Sequence, residues 1–481
     1  MNYNLLKLSG IKLANLIRNR ELTSYEVVET HIEQIKKVNP ELNAVVKERF
    51  EDARGEAKLA DKTILDKHDD LPEYFGVPCT LKENFAFKGF PQTGGLLYRR
   101  NYIASNYATV IARMLKSGLI PMGFTNVSEL CMWMESNNPV YGRTNNPYNS
   151  SRIVGGSSGG EGAIIGSGAS PFGLGADIGG SIRLPAFFNG VYGHKPTGGL
   201  VPGTGQHPMA SGAALRYLTT GPICRRAADL LPLLKIMTGP DGIDDGCEYH
   251  NIRWDESYEL KNIRILSISN NGTIPVDREL MDIQNAAVDK LKTLGARVYF
   301  PKFERLKKSF EIWASMLSAA GGPSFEEMLM EGKSSNAFIE LGKLFFGASE
   351  HTIPAIMLAI IEKVPKILPK QANKILDEGM ELKKEMKEIL GDDGVILYPT
   401  YTSVAPAHNI PILKPMDWIY TAIINVMELP STQVPLGLNK DKLPLGFQII
   451  GNHGNDPLTI FLGNELEKEF GGWIPPDKWF C

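Results

Sequence analysis

Apolar positions fall at helical spacing near the start of the chain. Val27, Val28, Ile32, Ile35 and Val38 recur three or four apart, the period of one buried helix face. Thr23-Ser24-Tyr25-Glu26 stands before them as a capping box, in which the Thr and Glu side chains satisfy each other's backbone N–H groups. Asn39-Pro40 predicts the stop, because proline disfavours helix at the residue before it. The Ala, Glu and Lys content of 43–61 predicts a second helix. Residues 75–81 read as a short buried strand, 107–117 as a helix closed by Gly118, and 119–124 as a strand. Further on, a strand at 263–268, a helix at 277–295 and a strand at 297–300 follow in turn. Helical patterns then dominate about 306–390, and two more strands are predicted at 394–397 and 445–450. Helix and strand alternating in this way imply an α/β architecture. With no internal repeat, low-complexity tail or linker-like stretch, one domain over 1–481 is expected.

The interval 155–180 breaks this pattern. It holds 11 glycines in 26 residues, yet Ala163, Ile164, Ile165, Phe172, Leu174 and Ile178 interrupt it. Buried-type residues at that density exclude a flexible linker. Glycines among them let backbone segments approach one another closely.

Bulk composition narrows the function classes. The chain is 43% hydrophobic and 22% charged, with net charge −3. That is ordinary for a globular protein and gives no bulk attraction for nucleic acid or an anionic membrane. The five cysteines include no CxxC pair, and the eight histidines show no metal-ligand spacing. A disulfide framework and a zinc site are therefore not expected, and no metal or cofactor is called for. Residues 1–20 lack the pure apolar run of a signal peptide. No stretch reaches the length of a membrane-spanning helix, so an intracellular protein, cytoplasmic or peripherally attached to membrane, is expected.

Three segments carry candidate chemistry. They are Gly76-Val77-Pro78-Cys79-Thr80-Leu81-Lys82-Glu83-Asn84, Val154-Gly155-Gly156-Ser157-Ser158-Gly159-Gly160-Glu161-Gly162, and Gly175-Ala176-Asp177-Ile178-Gly179-Gly180-Ser181-Ile182-Arg183. A serine hydroxyl is a weak nucleophile at neutral pH and needs a base beside it. A lysine can be that base only when neutral, and burial favours the neutral form. Lys82 stands among Val77, Pro78, Leu81 and Phe85, a setting that fits.

Together the three segments resemble the amidase signature family. They stand in the family's order, with 75 residues from Lys82 to Ser157 and 24 from Ser157 to Ser181. Gly193-His194-Lys195-Pro196-Thr197-Gly198 trails them, and the resemblance is closest over about 75–199. It implies a large mixed, twisted β-sheet covered by helices on both faces. It implies a Ser-Ser-Lys triad in which Ser157, in a cis peptide, bridges Lys82 and the nucleophile Ser181. It further implies an oxyanion hole from the N–H groups of Ile178, Gly179, Gly180 and Ser181, with the carbonyl near Cys131 against the substrate. Asp177 and Arg183 are expected to brace the loop, and Ser158 to support it by hydrogen bonds or to take part directly.

Gly160-Glu161-Gly162, the wording of 177–183, the N-terminal portion and Phe470-Gly471-Gly472-Trp473 most resemble the fatty-acid amide hydrolase branch, its second type. That implies a lipid-like amide substrate. The family's other amide hydrolases, including the amidotransferase subunit that releases ammonia from glutamine, are the alternatives. Long acyl groups need an apolar channel, for which Trp313, Met316, Leu317, Phe338, Phe345 and Phe346 are candidates; plain core packing of helices accounts for them equally. The run 353–370, with Lys363, Lys366 and Lys370, fits either a membrane-surface contact or a solvated amphipathic helix. A homodimer is compatible with the family.

One rival motif overlaps. Gly155-Gly156-Ser157-Ser158-Gly159 also fits G-x-S-x-G, which would make Ser157 the nucleophile on a strand-to-helix turn. It requires a strand just before it and a downstream histidine, His408 or His453.

Overall fold

The computed structural model describes residues 3–66, 71–331, 335–344, 346–362 and 369–480. The capping box forms as read: Thr23 and Glu26 bond reciprocally at the head of the Ser24–Leu42 helix. Pro40 does not stop that helix. It sits inside the last turn, where one backbone bond is forgone, and Asn43 in the left-handed region ends the helix instead. The helix expected over 43–61 is also corrected. Strand β1 (Val45–Glu48) comes first, and a helix follows at Phe50–Asp66.

β1 pairs antiparallel with β3 (Ile120–Thr125), which pairs parallel with β2 (Pro78–Lys82). This three-stranded sheet carries Lys82 at the end of β2. A two-stranded ribbon, β4 (Asn137–Asn138) and β5 (Gly142–Arg143), follows.

The larger sheet has eight strands. They are β6 (Phe172–Asp177), β7 (Tyr192–Lys195), β8 (Thr219–Cys224), β9 (Arg264–Ser267), β10 (Arg297–Tyr299), β11 (Gly394–Tyr398), β12 (Ser431–Leu438) and β13 (Pro444–Gly451). Their order is β10-β9-β11-β13-β12-β7-β8-β6. β9 pairs parallel with β10 and β11, and the remaining pairs are antiparallel, so the sheet is mixed as expected.

Both faces are covered, and alternation along a strand explains how. Val395 and Leu397 pack with Val288, Leu291, Leu458 and Leu462 from the helices Arg278–Thr293 and Asp456–Phe470. Ile396 and Tyr398 pack with Ile312, Met316, Leu382 and Ile423 from the helices Ser309–Ala319, Pro369–Leu390 and Ile419–Val426. Strands buried on both faces read as continuous apolar runs rather than alternating ones, which is how 394–397 was legible. Among the described residues, no helix is long and apolar enough to cross a membrane.

Candidate active site

The three candidate segments meet where the small sheet abuts β6. β2 brings Lys82 to the end of its strand. β6 ends at Asp177 and opens into the loop that holds Ser181, before the Arg183–Phe188 helix. Ser157 lies just ahead of the Gly159–Gly166 helix. Lys82 Nζ donates to Ser157 Oγ at 2.8 Å and reaches the Ala176 carbonyl at 3.5 Å. Lys82 is wholly buried and Ser157 nearly so, while Ser181 keeps 9% exposure. The nucleophile candidate is thus the most solvent-accessible of the three. Burial drives the Lys82 amine below its ordinary range, against the pull of Cys131, Asp177 and Glu161. No hydrogen bond between the Ser157 and Ser181 hydroxyls is recorded among the described residues.

The Ser157 loop fits its surroundings closely. The Gly156–Ser157 peptide is cis. A Cβ on Gly156 would lie 2.2 Å from the Trp133 carbonyl oxygen, and one on Gly160 2.3 Å from the Asn126 nitrogen. Ser136, absent from the sequence reading, donates to the Gly155 or Ser157 carbonyl and accepts the Gly159 N–H. The Ser158 hydroxyl, expected either to support the loop by hydrogen bonds or to take part directly, is buried and has no hydrogen-bond partner among the described residues.

Asp177 and Arg183 form a fully buried bidentate pair at 3.1 Å. Burial opposes ionisation of Asp177, but the Arg183 guanidinium holds the carboxyl well below the usual range. Arg183 also donates to Gln448 at 2.8 Å and Asn425 at 2.6 Å. The pair's hold on the loop extends to the Ile182 N–H, which Asp177 Oδ2 accepts at 3.1 Å. It has a consequence for the expected oxyanion hole. Gly180 N–H is given to Asp177 Oδ1 at 2.6 Å, so that donor faces the protein. The N–H groups of Ile178, Gly179 and Ser181 have no recorded acceptor among the described residues. Cys131 lies near Lys82 and Ser157, in the left-handed region with φ 55°. Burial raises its thiol to about 11, with Lys82 and Ser157 pulling the other way.

The channel candidates separate. Trp313 reaches the loop: its Nε1 approaches the Ile178 carbonyl at 3.4 Å, and its ring meets Trp418 edge-on at 4.7 Å. Met316 and Leu317 belong to the core cluster beneath. Phe338 and Phe346 are 60% and 88% exposed, so neither walls a channel in this conformation. Phe345 lies outside the described residues, as do 363–368 with Lys363 and Lys366. The apolar run 353–361 is partly spent on the protein itself, since Ala355, Ile356 and Ala359 pack against Phe325 and Leu329. A cavity of about 310 Å³ flanks the 129–135 loop, lined by Met132, Trp133, Leu344 and Ile353 among others, and none of the five described candidates lines it.

The rival motif fails on geometry. No strand precedes Ser157 between 144 and 158. His408 bonds Glu135 and the Ser150 carbonyl, and the His453 ring lies 5.1 Å from that of His250, tilted by 55°. Neither meets Ser157.

Comparison with known proteins identifies the family. The amidase family profile matches residues 26–460. The chain belongs to the amidase signature family. It is 46% identical to fatty-acid amide hydrolase 2-B of Danio rerio and 44% identical to fatty-acid amide hydrolase 2 of Homo sapiens, in each case over 98% of this chain and 91% of the relative. A structure of 6-aminohexanoate cyclic dimer hydrolase complexed with substrate shares the fold, with a TM-score of 0.81, 23% identity, and coverage of 99% of this chain and 100% of that one. The protein is an amide hydrolase.

Proposed function

We propose that this amide hydrolase works through Lys82, Ser157 and Ser181 and cleaves long-chain acyl amides to a free fatty acid and an amine. The observation that carries the proposal is the 2.8 Å contact between a fully buried lysine and Ser157, beside a loop that presents Ser181. Similarity to the fatty-acid amide hydrolases over nearly the whole chain supports the substrate class.

Neutral Lys82 takes the Ser157 proton as Ser157 takes that of Ser181. Ser181 Oγ bonds to the amide carbon, and the carbonyl oxygen becomes an oxyanion facing the N–H groups of Ile178, Gly179 and Ser181. Fixed donors aimed at that charge supply a large part of such rate enhancements. The proton returns through Ser157 to the leaving nitrogen, the C–N bond breaks, and the amine departs. Water, losing a proton to the same relay, then hydrolyses the acyl–Ser181 ester to the acid.

A hydrolysis panel tests the substrate class: oleamide, an N-acylethanolamine, a short aromatic amide and glutamine. Turnover of the two lipid amides above the rest is expected. Turnover of glutamine alone, and only with added partner subunits, overturns the lipid assignment.

A further inference from the structure

The direction of each N–H group around Ser181 follows from what holds the carbonyl of the same peptide. In a trans peptide the C=O and N–H point opposite ways, and every peptide from 177 to 181 is trans. All four carbonyls of this run are engaged. Asp177 O accepts from Asn425 Nδ2 at 2.8 Å. Ile178 O faces Trp313 Nε1 at 3.4 Å, and Gly179 O accepts from Thr421 Oγ1 at 2.7 Å. Gly180 O accepts from Leu184 N–H at 2.7 Å. Three of the four donors come from the helices Ser309–Ala319 and Ile419–Val426. The carbonyls therefore turn toward those helices, and the N–H groups of Ile178 and Gly179 turn away from them.

Thr421 also has Trp418 O within reach at 2.8 Å, but that oxygen already receives the Thr421 N–H, so the hydroxyl proton is best used on Gly179 O. Close approach is built in. A Cβ on Gly180 would fall 2.2 Å from Thr421 Oγ1, and Gly180 has φ 124°, a conformation that favours glycine. The Gly179–Gly180 peptide is held at both ends, its oxygen by Thr421 and its N–H by Asp177. Asn425 ties the same element to the Asp177–Arg183 pair from its other side.

We propose that Thr421 and Asn425 are positioning residues for the oxyanion donors: Asn425 holds the peptide that carries the Ile178 N–H, Thr421 holds the Gly179–Gly180 peptide lying between those that carry the Gly179 and Ser181 N–H groups, and neither touches substrate. The inference rests on the Ser181 chemistry proposed above. Its test compares T421V, which keeps the side-chain shape and removes the donor, with T421S, which keeps the donor. Two readouts are taken: kcat and KM on a long-chain acyl p-nitroanilide, and inhibition by a long-chain trifluoromethyl ketone, whose adduct carries the tetrahedral oxyanion. T421V is expected to lower kcat about tenfold or more, against the roughly 10²–10³ lost with an oxyanion donor itself. KM should hold within about twofold, ketone affinity should fall by the same factor as kcat, and T421S should recover most of both. Unchanged kcat in T421V overturns the proposal, as does lost kcat with ketone affinity intact, or a T421S chain that behaves like T421V. If T421V no longer melts cooperatively, T421A is read in its place against the same outcomes. A native chain that neither cleaves an acyl amide nor accepts a serine-reactive label counts against the Ser181 chemistry; an active native chain with an indifferent T421V counts against the positioning role alone.

Discussion

Lys82 closes β2 in the small sheet and Lys195 closes β7 in the large one, and solvent reaches neither. Burial lowers both amines. For Lys195, with Arg183 adding to the effect against Asp177, Asp456 and Glu428, the result is about 7. Their partners differ. Lys82 points its amine at a serine hydroxyl 2.8 Å away, next to the loop that bears Ser181. Lys195 donates to the carbonyl of its own neighbour, Pro196, at 2.7 Å, and a carbonyl has no proton to give. Desolvation makes a lysine neutral; a hydroxyl within reach is what makes it a base.

Ways to break this comparison run from large effects to small. S181A removes the proposed nucleophile and should cost roughly 10⁴–10⁶ in kcat, read by amine release from oleamide; a loss under tenfold contradicts the assignment. K82M removes the base and should cost about 10²–10⁴. Because Lys82 must be neutral, native kcat/KM should rise with pH to a midpoint below 10.5, the ordinary value, and that rise should vanish in K82M. K195M should keep kcat within about tenfold, because no reacting proton passes through it.

Lys195 should appear in stability instead. Its folded value, about 7, lies below its ordinary 10.5, so between these the unfolded chain binds the extra proton and stability climbs with pH. One such group contributes a slope of about 1.4 kcal/mol per pH unit. Urea unfolding between pH 7 and 10 should show a shallower climb in K195M than in the native chain, and equal slopes contradict the burial argument. The smallest effect is expected from replacing His408 and His453 together: kcat within about threefold, since neither ring meets Lys82, Ser157 or Ser181.

The same contrast marks what the sequence can and cannot disclose. Lys82, Ser157 and Ser181 stood out as candidates because three short segments resemble a family's motifs in order and separation. Thr421 and Asn425 were not, because they reach the 177–179 backbone from 242 and 248 residues away and belong to no local pattern. Gly180 was assigned to the oxyanion hole with its neighbours, and only tertiary structure reveals that Asp177 takes its N–H. β1 was missed because two valines sit in a helix-favouring composition; pairing with β3 decides that segment, and tertiary context overrides propensity. Phe338 and Phe346 were candidates for channel walls and for core packing alike, yet both stand largely exposed, because apolar character alone does not say which helix face is buried.

The most direct test of the lysine base is the rate at which a fluorophosphonate phosphonylates the protein, with loss of fluoride, as a function of pH, in the native chain and in K82M. Mapping needs Glu-C, which cuts after Glu161 and separates the two serines; trypsin leaves both between Arg152 and Arg183. The label is expected on Ser181, at a rate that rises with pH to a midpoint below 10.5 in the native chain and is slow and without that rise in K82M. Label on Ser157, or one pH profile shared by the two chains, contradicts the account.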